Sequence, residues 1–173
     1  MHYLLISFFF LLNTPEVPGK CTNPSVENAV SQLTVELTSN YTSNCKVHIA
    51  ILDFRSTDDK VSRFNQLIQN EMNLSLAKSV NFKVIEQFSI NHLLDEMGWG
   101  LSQALSFKFY SNLNESIFNS TGSIADVFIY GVVSVDESNV TINGYLVPNG
   151  LAEKAIKAKV QIPIASIPDN MFE

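Results

Sequence analysis

The sequence is short of the residues that most often announce a chemistry. Two cysteines, three histidines and one tryptophan stand among 173 residues. Two thiols build neither a disulfide-dense scaffold nor a four-thiolate zinc site. Charged residues make up only 16%, with 11 Lys and Arg against 17 Asp and Glu, a net charge of −6. No basic run breaks that acidic balance, which argues against nucleic acid as a partner and against electrostatic binding to anionic lipid. There is no P-loop, no Gly-x-Gly-x-x-Gly and no Gly-x-Ser-x-Gly. What is plentiful is apolar: 46% of residues are hydrophobic and 12 are Phe. That excludes general disorder and suits the core of one domain of ordinary size.

Met1 to Leu12 is almost wholly apolar and ends at Asn13-Thr14-Pro15. A spanning helix needs about 20 apolar residues; this run has the length of a signal-peptide core. We expect residues 1–19 to be a signal peptide, cut after Val17-Pro18-Gly19 to leave Lys20, although His2 is the only basic residue before the core. An uncleaved start is one alternative and lipidation at Cys21 another, but a lipobox wants a small residue before the Cys and Lys20 stands there. Cys21 and Cys45 form either a disulfide, worth about 3 kcal/mol in an oxidising compartment, or two unrelated thiols.

Residues 24–38 place Val26, Val30, Leu33 and Leu37 on one helical face, behind an Asn23-Pro24 start. Val47 to Leu52 is a strand apolar on both sides, as a central strand is. A second amphipathic helix begins near Asp58 or Asp59, with Val61, Phe64, Ile68, Met72 and Leu76 as its stripe. Phe82, Val84 and Ile85 make a second strand. Ser89 caps a third helix that carries Ile90, Leu93, Leu94 and Met97 and stops at Gly98. Strand, helix, strand implies a parallel pair. Residues 99–123 read poorly, with a weak helix through Leu113, Ile117 and Phe118. Ile124 to Val135 is a long strand, and residues 140–146 alternate as a half-buried strand does. Residues 151–162 have good helix propensity, yet Ile156, Ala158, Val160 and Ile162 alternate with Lys157, Lys159 and Gln161. The period of two predicts a strand protected by lysine. Pro163 and Pro168 then end regular structure. The expected fold is α/β (α+β): a mixed sheet of four to five strands flanked by helices, closing in a C-terminal three-strand antiparallel meander. It forms a single domain over residues 24–163, with a tail over 164–173.

Four segments carry a family likeness: Val26 to Leu37, His48 to Phe54, Val84 to Glu96, and Ile124 to Gly131 followed by a meander ending at Ile162-Pro163. Val84-Ile85-Glu86 looks like a VVER strand end, and Ile124 to Gly131 like a GADYVVxG strand. In this order they resemble the FlgO family of bacterial flagellar-accessory envelope proteins and, more distantly, the α/β domain of the curli secretion protein CsgG. Two positions depart from the family pattern: Gln87 replaces an Arg after Glu86, and Tyr145 replaces an Arg in the meander. The resemblance implies an exported, non-enzymatic docking or assembly module with a protein partner in the periplasm or at the outer membrane. It carries over no catalytic, cofactor or metal residue.

The one acidic constellation is Asp53, Asp58 and Asp59, at the end of the central strand. Ligands bind at that edge of open α/β sheets, and clustered carboxylates hold Mg²⁺. A small periplasmic metal- or ligand-dependent enzyme using this cluster is therefore the alternative function. The plainer explanation is acids in the first turn of a helix. A CsgG-like secretion-channel component is a third reading, but no inserted pair of strands about 9 to 11 residues long is evident. His48 and His92 lack partners at metal-ligand spacing. Trp99 is an exposed interface anchor or a core plug. Asn-x-Ser/Thr at Asn40, Asn73, Asn114, Asn119 and Asn139 fits chance in a chain rich in Asn and Ser.

Overall fold

The computed structural model describes residues 24–39, 41, 43 and 45–172. The expected signal peptide over residues 1–19, with Lys20, Cys21 and Asn40, lies outside them, and with Cys21 goes the proposed pairing to Cys45, which is exposed. The order is α1 (Pro24–Ser39), β1 (Val47–Ser56), α2 (Arg63–Ala77), β2 (Phe82–Val84), α3 (Gln87–Met97), α4 (Phe107–Thr121), β3 (Val127–Val135), β4 (Asn139–Pro148) and β5 (Ile156–Pro163). The strands form one mixed sheet in the order β2-β1-β3-β4-β5. β1 is parallel to both β2 and β3, and β3, β4 and β5 form the antiparallel meander.

Strand alternation divides the interior in two. On one face Ile49, Ile51 and Phe54 of β1, with Val127, Ile142, Val160 and Ile162, meet the stripes of α1 and α2. On the other, Ala50 and Leu52 of β1, with Phe128 and Tyr130, meet α3 and α4. β1 is thus covered on both sides, which is why its sequence is apolar throughout. Gly144 lets α1 approach β4: a Cβ there would lie 2.9 Å from a methyl of Leu37 and 3.2 Å from one of Leu33. Residues 156–163 are a strand because α1 buries Val160 and Ile162 while Lys157, Lys159 and Gln161 face solvent.

Several expected boundaries move. α2 does not begin at Asp58 or Asp59. Residues 56–60 close a tight turn, with Ser56 N–H donating to Lys60 O at 2.9 Å and Asp59 at φ 63°. The start is Ser62, whose hydroxyl and the Asn65 side chain cap each other's backbone N–H groups. The first turn of α2 therefore holds no acid. Ser62→Ala should lower stability by about 1 kcal/mol in urea unfolding. α3 opens at Gln87 after Glu86 rather than under a Ser89 cap; the Ser89 hydroxyl donates to the Glu86 carboxylate at 3.2 Å. Residues 99–123 resolve into a 3-10 turn (Leu101–Gln103) and α4, started by Ser106 and stopped by Gly122 at φ 69°. Leu113 and Ile117 are buried as expected, but Phe118 is exposed. β3 starts at Val127 rather than Ile124, because Asn114 binds both backbone groups of Ala125 ahead of the strand. Beyond Pro163 and Pro168 two 3-10 turns continue (Ile164–Ser166 and Asp169–Met171), and they bring Ile167 and Phe172 onto the first core. Among the described residues no helix is long and apolar enough to cross a membrane.

Candidate functional site

β1 and β2 are parallel neighbours, but the chain leaves β1 into α2 on one face and β2 into α3 on the other. Neighbouring parallel strands whose connections part in this way leave a crevice beyond their carboxyl ends, the usual ligand position in open α/β sheets. A cleft of about 490 Å³ lies there. Asp53 and Arg55 of β1, Gln66, Gln69 and Asn70 of α2, and Asn91 and Asp95 of α3 line it, together with Val61.

Its floor is an irregular strand end. From Ile51 to Phe54 β1 advances three residues while β3 advances two, from Ile129 to Gly131. The extra residue makes a bulge. β2 has already stopped at Val84, so the backbone acceptors of β1 take other donors. Ile85 N–H donates to Ile49 O at 2.8 Å, the Gln87 amide to Ile51 O at 2.9 Å, and the Gln69 amide to Leu52 O at 3.3 Å. The amides of Gln87 and Gln69 also converge on the Asn91 side-chain oxygen, at 2.8 and 3.4 Å. Gln87, which departs from the Arg of the resembled family, thus completes the strand edge.

The three acids of the sequence do not act as one cluster. Arg55 takes two of them: its guanidinium lies 3.2 Å from Asp53 and 3.2 Å from Asp59, and it also donates to Asp59 O at 3.0 Å. Asp59 accepts in addition from Leu101 N–H at 3.0 Å, tying the loop after β1 to the chain after α3. Asp58 turns away to Lys60, at 2.6 Å, and to the Ser56 hydroxyl. Burial pushes the Asp53 carboxyl above its usual range, Arg55 opposes that shift, and the neighbouring Asp95 adds to it. Hydrogen bonds from Lys60 and Ser56 hold Asp58 below its usual range.

The cleft wall carries no Ser, Thr, Cys, His, Lys or Tyr side chain. A hydroxyl, thiol, amine or imidazole nucleophile is thus missing from its lining, which offers only the carboxylates of Asp53 and Asp95. His48 faces Asp126 at 3.7 Å and His92 faces Glu96 at 3.4 Å, both away from this lining. Among the described residues no group of three His, Cys, Asp or Glu side chains is arranged to hold a metal ion. Trp99 is buried between Phe109 and Tyr130, with ring centroids 4.8 and 6.0 Å away, so it is a core residue and not an exposed anchor. The large apolar side chains that do reach solvent include Phe88 on α3, with Leu105 and Phe107 at the start of α4.

A mixed sheet with two parallel crossovers on opposite faces and a meander along one side defines the class: an α/β domain with a switch-point cleft. Solved structures share this fold. The LpoB C-terminal domain from Escherichia coli superposes with a TM-score of 0.55 at 12% identity, over 79% of this chain and 97% of that one. The Salmonella enterica LpoB C-terminal domain gives 0.54 at 11%, over 79% and 97%. The NMR structure of Escherichia coli LpoB gives 0.53 at 10%, over 94% and 82%. At such identities the likeness is one of fold. No family model matches the chain, that of FlgO included, and no curated protein matches it.

Proposed function

We propose that this chain is an exported, non-enzymatic protein of the bacterial cell envelope, working as a docking or assembly module. The observation that carries this reading is the shared fold with the LpoB C-terminal domain, over nearly the whole of that domain. The cleft agrees with it: the Arg55 guanidinium is already engaged by Asp53 and Asp59, and no hydroxyl, thiol, amine or imidazole lines the wall. Association with the flagellum or outer membrane, in the manner of the FlgO family, is the finer form of this proposal; so are cleavage of residues 1–19 and a protein partner in the periplasm. The physical means is surface complementarity on a rigid domain. A photo-crosslinking residue placed in cells at Phe88, Leu105 or Phe107, all exposed, should give a discrete heavier adduct from at least one position. A ladderless monomer at all three would count against docking through this region.

One observation favours a second reading: the raised Asp53 carboxyl in a switch-point cleft suits a ligand-dependent enzyme. The two separate on metal binding. Under the docking reading Mg²⁺, Mn²⁺ and Ca²⁺ leave the melting temperature unchanged, because Arg55 occupies the cation position between Asp53 and Asp59. A metal-dependent rise that vanishes in Asp53→Asn would favour the enzyme.

A further inference from the structure

The sheet is covered unevenly. α1 spans β4 and β5 on one face, whereas α3 and α4 cover only the part of the other face around β1, Phe128, Tyr130 and Val147. Past them that second face lies open. Its strand positions follow from the register: Val132 beside Asn143 beside Lys159, Ser134 beside the buried Thr141 beside Gln161, and, next to the covered Tyr130, Tyr145 beside Lys157. None of these side chains is acidic, in a chain with 17 acids against 11 bases. In the turn between β3 and β4, the Asp136 carboxyl is held below its usual range chiefly by the backbone N–H groups of Ser138 and Asn139, each at 2.8 Å, and in part by the charge of Lys159.

The two lysines are held differently. Tyr145 stacks on Tyr130 at 4.8 Å with an interplanar angle of 8°, and the Lys157 ammonium sits 5.8 Å over the Tyr145 ring. That cation–π contact restrains Lys157 at little cost to its charge. Lys159 stands two residues further along the same strand, with a shallow groove of about 170 Å³ between the pair, Asn143 and Tyr145. Alternate residues of a strand repeat at about 6.8 Å, and so do alternate side chains of any extended peptide. A bilayer surface matches this spacing less well, and the net charge of −6 opposes it.

We infer that the open face of β3, β4 and β5 docks an acidic, extended peptide segment of a protein partner, whose alternate carboxylates pair with Lys157 and Lys159. This rests on the docking reading and names the chemistry of the partner. The probe is a fluorescent deca-glutamate peptide at low salt, followed by anisotropy and by amide NMR shifts. The expected shifts fall on Asn143, Tyr145, Lys157, Lys159 and Gln161. Lys157→Glu with Lys159→Glu weakens binding by about tenfold or more. Lys157→Arg with Lys159→Arg retains it. Lys78→Glu with Lys83→Glu, an equal charge change at other exposed positions, alters it by about twofold or less. Unchanged melting temperatures certify the fold of each variant. Shifts elsewhere, or equal losses in both Lys→Glu pairs, overturn the assignment. So does preferential, Lys157- and Lys159-dependent binding of phosphatidylglycerol vesicles or polygalacturonate over the peptide. The crosslinking at Phe88, Leu105 and Phe107 is read separately, so this face can fail while the docking reading stands.

Discussion

Phe54→Ala should cost about 3–5 kcal/mol of unfolding free energy, the range for deleting a buried aromatic ring. Phe54 is essentially inaccessible and belongs to the core beneath α1 and α2. Its position depends on the bulge, because the extra residue of β1 brings Phe54 opposite Gly131 of β3. A Cβ on Gly131 would run into the edge of the Phe54 ring, with Asn143 O 3.1 Å away on the other side. Gly131→Ala should therefore destabilise by about 1–3 kcal/mol through overpacking alone. The two costs are not additive, since they occupy the same space. In the Phe54→Ala background the added methyl no longer meets the ring and keeps only the close approach to Asn143 O, so Gly131→Ala should there cost much less than in the wild type. A double-mutant cycle in urea checks this, and two additive penalties would show that Phe54 does not lie over Gly131.

The same strand shows why some of this architecture can be read from the sequence and some cannot. Val26, Val30, Leu33 and Leu37 repeat at helical steps because a sheet covers that whole stripe. Residues 156–162 alternate because α1 lies on one side of β5 and solvent on the other. In both cases one neighbour sets one period. α4 has no such clean signal: Phe109, Tyr110, Leu113 and Ile117 are buried, but Phe107 and Phe118 are exposed on the same helix and blur the stripe. Asp58 and Asp59 resemble helix-start acids, yet Arg55 and a left-handed backbone at Asp59 hold them in a turn. Asp53 was legible as a residue of the central strand, although β1 runs past it to Ser56 rather than ending there. Its partners were not, since Gln69, Asn91 and Asp95 come from two helices and meet it only through the topology, and a bulge leaves no periodic mark in an apolar strand.

Arg55→Ala should destabilise by about 2–3 kcal/mol at neutral pH, and the loss should shrink as the solution is acidified. Breaking a fully buried pair costs about 3–5 kcal/mol, because a charge is left without its partner. Here each side chain of the Arg55–Asp53 pair keeps 17% exposure, so water recovers part of that cost. The pH dependence follows from Asp53. Burial already places its folded-state carboxyl above the unfolded value, and Arg55 is the chief opposing influence. Between the unfolded and folded values the native state binds the extra proton, so stability falls as pH rises through that window and recovers as pH falls. Removing Arg55 widens the window upward, because burial and Asp95 then raise Asp53 against the hydrogen bond from Gln69 alone. The variant should approach the wild type in stability at pH values where Asp53 is protonated in both. Asp53→Asn on top of Arg55→Ala should restore much of the loss at neutral pH, since a neutral amide needs no counter-charge. Chemical denaturation of the two variants across the acid range tests the argument. A penalty for Arg55→Ala that is the same at every pH, and unrelieved by Asp53→Asn, would mean that Arg55 stabilises the cleft through its packing and its bonds to Asp59 rather than through the charge of Asp53.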